Sequence, residues 1–170
     1  YPLVSHQVPD YIEALKKEMR DKAADLKNRE VATIYIGGGT PTSLKAREIE
    51  EIIGLCFTYF SIAKNAEITV EANPGTLTRE KLRTMRTFGI NRLSLGAQTF
   101  NDKLLERIGR IHNSRQIATS LQMARRMGFE NISLDLIFGL PGETLDMWME
   151  SLASVMALGP DHISTYNLVI

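Results

Sequence analysis

Apolar positions along this chain switch repeatedly between the two periods of regular structure. Tyr11, Leu15, Met19, Ala23 and Leu26 recur at three- and four-residue intervals with charges between them, which predicts an amphipathic helix over 11–26, opened by Pro9 and Asp10. Thr33-Ile34-Tyr35-Ile36 follows as a β-branched and aromatic run closed by three glycines, so a short strand is expected there. Helical spacing returns over 44–60 through Ile49, Ile52, Ile53, Cys56 and Phe60. The same alternation then predicts a strand at 67–71, a helix at 78–88, a strand at 92–95, and helices at 101–108 and 114–127. A strand at 131–138, a helix at 145–158 and a strand at 162–169 complete the series. Gly89, Gly128 and Gly159 each close a helical run just before a strand, where a left-handed cap is expected.

Five strands separated by helices define an α/β chain with parallel strands and crossover helices, either doubly wound or part of a (β/α) barrel. The unusual residues favour the incomplete barrel. Gly37 to Pro41, Glu71 to Pro74, Gln98, Asp135 to Thr144 and Tyr166-Asn167 all fall at or after the carboxyl ends of strands, the rim on which barrels build their sites.

Composition narrows the function classes. At 170 residues, 24% charged and 44% hydrophobic, the chain is expected to form one domain over 1–170. Twenty basic against twenty acidic side chains leave no net field to recruit nucleic acid or an anionic membrane. Apolar runs such as Leu136-Ile137-Phe138 are far too short to span a bilayer, and the lack of a basic-then-apolar run at the start leaves no secretory signal expected. The single Cys56 permits no internal disulfide and no zinc site of its own, which fits a reducing cytoplasm; in an apolar helical stretch it reads as an inert buried thiol. Met123, Met127, Met147, Met149 and Met156 read as packing. The chain opens at Tyr1-Pro2 and stops inside a strand-like run, so a fragment is expected.

The residues that could carry chemistry are few. Gly37-Gly38-Gly39-Thr40-Pro41 joins a strand to a helix and lets a ligand approach the backbone, but it has neither the P-loop ending nor the dinucleotide spacing; a plain tight turn is the alternative. Glu71 ends a strand before Asn73-Pro74-Gly75, where its carboxylate faces either a ligand ammonium or hydroxyl, or solvent. Asp135 stands inside an otherwise apolar strand and needs a partner, a structural arginine or a ligand hydroxyl. Arg110, after Gly109, suits a two-pronged grip on a carboxylate, with a surface charge as the alternative. His112 reads as a surface or capping residue before a metal ligand. Gln98, just past a strand, could present an amide to a ligand or stabilise its loop. Acid–base catalysis by Glu71 and Asp135 on a small substrate is a further reading.

Taken in order, Ile-Gly-Gly-Gly-Thr-Pro-Thr, Glu-Ala-Asn-Pro, Asn-Arg-Leu-Ser-Leu-Gly-Ala-Gln-Thr-Phe, Ile-Gly-Arg-Ile-His and Asp-Leu-Ile-Phe-Gly-Leu-Pro-Gly-Glu-Thr resemble the radical S-adenosylmethionine (SAM) enzymes. The likeness, over residues 31–170, is to the branch that holds oxygen-independent coproporphyrinogen III dehydrogenase (HemN-type) and the HemW-type haem chaperones. It implies an incomplete radical SAM barrel, lacking its first strand with the cluster loop and its C-terminal part, that binds SAM against a 4Fe-4S cluster. It also implies a SAM pocket formed by Gly38, Gly39, Thr40, Glu71, Gln98, Arg110 and Asp135, with Val169 touching the adenosine. By charge and hydrogen-bonding type, Arg110 suits the methionine carboxylate, Glu71 the ammonium, and Gln98 with Asp135 the ribose hydroxyls. The family's Cys-x3-Cys-x2-Cys motif is absent, so this polypeptide alone is expected to assemble no cluster and cleave no SAM. The details of Glu-Ala-Asn-Pro, Gly-Ala-Gln-Thr-Phe and Gly-Arg-Ile-His lean to the haem chaperone, which passes haem to acceptor proteins, over oxidative decarboxylation of porphyrinogen propionates. None of His6, His112 and His162 is assigned as a haem ligand.

Overall fold

A computed structural model describes residues 5–168 of the chain. Five strands, β1 (Glu30–Ile36), β2 (Ser61–Ala72), β3 (Arg92–Gln98), β4 (Asn131–Phe138) and β5 (His162–Asn167), lie in sequential order and pair in parallel throughout. Helices α1 (Val8–Ala23), α2 (Ala46–Tyr59), α3 (Arg79–Thr87), α4 (Asp102–Arg107), α5 (Ser114–Arg126) and α6 (Leu145–Leu158) precede and connect them. A doubly wound sheet reverses its order and carries helices on both faces, whereas an uninterrupted sequence of parallel neighbours keeps its crossovers on one face. The fold is therefore a curled half-barrel.

Strand alternation decides what each face meets. Ile68 and Val70, Leu93, Leu95 and Ala97, and Ile132, Leu134 and Leu136 point outward and pack against Ile49, Ile53, Leu82, Met85, Leu105, Ile117 and Val155 of the helices. Each such side chain contributes about 1.5–3 kcal/mol when fully buried, so this face holds the fold together. The opposite positions are Tyr35, Glu71, Ser94, Gln98, Asp135 and Tyr166, a polar inner face. Parallel sheets usually read as apolar on both faces, so this one is built to meet a ligand or solvent.

Several expectations are corrected. The first helix buries Val8 and Ile12 and half-buries Leu15, Met19 and Ala23, so of the stripe read off the sequence Tyr11, 60% exposed, falls off the packed face. β2 begins six residues earlier than expected, because Ser61 and Ile62 pair with Glu30 and Val31 despite weak strand propensity. β3 continues through Gln98. Met123 and Met127 pack against the core, but Met149 and Met156 are exposed on α6. Gly89, Gly128 and Gly159 take the left-handed conformation expected of helix caps. Val169 lies outside the described residues. No helix among the described residues is long and apolar enough to cross a membrane.

Candidate functional site

The carboxyl ends of the strands enclose a cavity of about 260 Å³. Thr40, Gly39, Glu71, Gln98, Arg110 and Asp135 line it together, although they come from five separate chain segments. Gly38 joins them through its backbone, donating its N–H to Glu71 Oε2 at 3.1 Å. Its φ of +85° and that of Gly39, +62°, lie in the left-handed region that favours glycine, which explains this loop's composition.

Glu71 ends β2 on the inner face. Besides the Gly38 amide, it accepts a hydrogen bond from the Tyr35 hydroxyl at 2.8 Å, so its carboxylate plane is fixed by two donors. Gly37 is required beneath this pair: a Cβ there would sit 2.7 Å from Tyr35 Cε1 and 2.8 Å from Glu71 Cδ. Desolvation, with the adjacent Glu71 carboxylate, pushes the Tyr35 phenol up to about 12, so the hydroxyl remains a donor at neutral pH.

Asp135 is half-buried on β4 and finds no structural arginine. Its partners are the hydroxyls of Ser94, 2.6 Å from Oδ2, and Ser133, 3.2 Å from Oδ1. Two neutral donors leave the charge on a carboxylate that opens to the cavity, and further lone pairs remain free to accept.

Gln98 ends β3 where the pairing with β4 slips between Gly96 and Gln98. Its φ is +67°, the one non-glycine residue in the left-handed region among the described residues, and such backbone strain clusters at ligand sites. The side chain folds over Gly96, where a Cβ would lie 2.5 Å from its Nε2. The residue is 8% exposed, and its amide has no hydrogen-bond partner among the described residues.

Arg110 follows α4 through Gly109, whose φ of +69° turns the chain back toward the rim. The guanidinium is half-buried, lines the cavity and pairs with no carboxylate among the described residues; desolvation lowers its pKa. A partly desolvated cation without a counter-ion is a site prepared for an anion.

Sequence reasoning missed Tyr35, Ser94, Gly96 and Ile137, which share the cavity wall, and placed Asn73 and Tyr166 on the rim without giving them a role. The parity of each strand places most of them on the same face as Glu71 and Asp135, and that signal was available. His112, read as a surface or capping residue, is 4% exposed behind the rim. Cys56 is buried in α2, in the outer helical layer, and burial pushes its thiol up; among the described residues no group of three or more His, Cys, Asp or Glu could hold a metal. The chain's residues therefore do not fit an iron-sulfur cluster as ligands, whereas the rim does fit a small zwitterion bearing hydroxyls.

A cavity of this chemistry at the rim of a parallel half-barrel defines a class. The model of the radical SAM superfamily matches residues 4–155, and the chain belongs to that superfamily. Among curated proteins it is 43% identical over 171 residues to the haem chaperone HemW of Bacillus subtilis, covering 100% of this chain and 45% of that protein. It is 35% identical to HemW of Escherichia coli, covering 95% of this chain and 43% of the relative. Among solved structures, coproporphyrinogen III oxidase (HemN) from Escherichia coli, a radical SAM enzyme, superposes with a TM-score of 0.92 at 33% identity, covering 99% of this chain and 39% of that one. The archaeal Elp3 of Methanocaldococcus infernus, at 18% identity and TM-score 0.76, shares the fold. The chain thus spans a little under half the length of these two curated relatives.

Proposed function

We propose that this chain is the SAM-binding part of the radical SAM core of a HemW-type haem chaperone, a cytoplasmic protein that binds haem and delivers it to acceptor proteins. The observation that carries the SAM assignment is Arg110, a half-buried guanidinium with no counter-ion among the described residues, lining a cavity that also holds two carboxylates. The cavity volume is near the roughly 300 Å³ at which small-molecule sites begin. Arg110 holds the methionine carboxylate and Glu71 the ammonium, with the Tyr35 hydroxyl and the Gly38 amide keeping Glu71 oriented. Asp135 and Gln98 accept and donate at the ribose hydroxyls, and the Gly38-Gly39-Thr40 backbone lies along the ligand. Val169 is assigned to the adenosine. In radical SAM proteins generally, SAM works with a 4Fe-4S cluster. Because no residue here fits that cluster, the part of this chain is to bind and orient SAM and to exclude water from it.

The HemW reading is supported by the identity to HemW proteins across nearly the whole chain. A second reading, oxidative decarboxylation of porphyrinogen propionates, draws support from the likeness to HemN. Titration with S-adenosylhomocysteine, and then with haem followed in the Soret band, tests both. Saturable binding of each, with coproporphyrinogen III left unchanged by a longer form of the protein that carries cluster-binding cysteines and is loaded and reduced, supports the chaperone. Its conversion with release of carbon dioxide supports the dehydrogenase, and no binding of S-adenosylhomocysteine refutes the SAM assignment.

A further inference from the structure

Three rim loops that differ widely in sequence position meet at one residue. Asn73 donates its backbone N–H to Thr42 Oγ1 at 3.0 Å, which ties it to the loop after the glycines. Its Oδ1 accepts from Gly75 N at 2.9 Å and from His112 Nδ1 at 3.0 Å, which ties it to the segment carrying Arg110. Because the Gly75 amide can only donate, the amide orientation of Asn73 is fixed, and His112 must carry its proton on Nδ1. The other ring nitrogen, Nε2, lies 3.4 Å from the Ala97 carbonyl at the end of β3. Desolvation lowers the His112 pKa, reinforced by the nearby Arg110 charge and opposed by the Ala97 carbonyl.

We infer that His112, seated on Asn73, is a positioning residue that sets the direction of the Arg110 guanidinium. The segment between them is short and held at both ends. On one side the Arg110 N–H closes onto Leu105 O at 2.9 Å after the left-handed Gly109. On the other, Ile111 packs over Gly75, where any Cβ would meet Ile111 Cγ1 at 2.9 Å, and His112 is pinned to Asn73. Arg110 has no ion pair among the described residues to orient it, so backbone anchoring is what aims it. The Asn-Pro-Gly turn after Glu71 therefore does more than end a strand: it seats the arginine loop against the carboxylate loop.

This inference rests on the SAM assignment for its binding readout, so the test carries a second readout that does not. His112→Leu removes both ring contacts; His112→Asn keeps a donor near the Nδ1 position. Expected for His112→Leu is S-adenosylhomocysteine binding weaker by roughly tenfold, with 5′-methylthioadenosine, which lacks the amino-acid end, within about twofold. His112→Asn recovers most of the loss, and the NMR signal of Arg110 Nε–H in the ligand-free protein moves in His112→Leu and returns toward its position in His112→Asn. Should His112→Leu not fold, Asn73→Ala gives the same split by removing the acceptor. An unmoved Arg110 signal, or equal losses for both ligands alongside a fall in melting temperature, overturns the inference. Failure of the unsubstituted protein to bind S-adenosylhomocysteine sinks the SAM assignment alone, and the Arg110 signal then decides this point.

Discussion

Two arginines, one at each end of the half-barrel, show how the fold separates holding from binding. Arg125, at the amino-terminal end of the strands, donates to the carbonyls of Phe129, Glu130 and Gly159 and to Asp161 Oδ2, the last at 2.7 Å. Asp161 Oδ2 also accepts the Ile132 amide at 2.8 Å, so the pair fastens the turn after α6 to the start of β4. At the carboxyl end, Arg110 is half-buried without any such partner among the described residues. The lower end spends its polar groups on the protein itself, and the upper end leaves them for a ligand.

The largest expected contrast comes from exchanging each arginine for alanine. Arg110→Ala lowers affinity for S-adenosylhomocysteine by about 100-fold, the value of a charge-assisted pair, while the melting temperature stays within about 2 °C; calorimetry checks both. Arg125→Ala does the reverse, costing about 1–2 kcal/mol of stability with binding unchanged, a figure held down because both Arg125 and Asp161 are partly solvated.

Acid sharpens the same contrast. Desolvation pushes Asp161 up, but the Ile132 amide and the Arg125 guanidinium outweigh it and hold the carboxyl below its ordinary value. Its contribution is thus present above the unfolded carboxylate range, about 3.9, and is lost as pH falls through the folded value. In Arg125→Ala, stability between pH 5 and 3 should be flatter, as read by urea unfolding.

Smaller effects are expected from the strained rim. Gln98→Gly relieves a left-handed backbone, so its stability should be unchanged or raised by about 0.5 kcal/mol while nucleoside affinity falls. Smallest is the Tyr35 titration: absorbance at 295 nm should show this phenol ionising near 12, and earlier in Glu71→Gln. Stability that Tyr35 contributes is present below the unfolded phenol value, about 10, and fades as pH rises through 12.

Much of this was legible in the sequence, for reasons that differ by element. β4 and α6 match the reading residue for residue, because Asn131–Phe138 is bounded by glycines and Leu145–Leu158 is capped by Thr144 and Gly159. Ser61–Ala66 was not legible as strand, since its pairing with β1 is a tertiary fact that no local propensity reports. Asp135 stood out as a charge in an apolar run, but its serine partners depend on Ser94 arriving from the neighbouring strand in register. His112 was the least visible: nothing in Ile-Gly-Arg-Ile-His says that the ring turns inward onto a turn 39 residues earlier.

The most direct test of the account is amide hydrogen exchange with and without saturating S-adenosylhomocysteine. The account predicts slowed exchange at 37–40, 71–75, 96–98 and 109–112, with no change around Phe129–Ile132 and Gly159–His162 at the opposite end. Slowed exchange confined to that opposite end, or none anywhere at saturation, would contradict it.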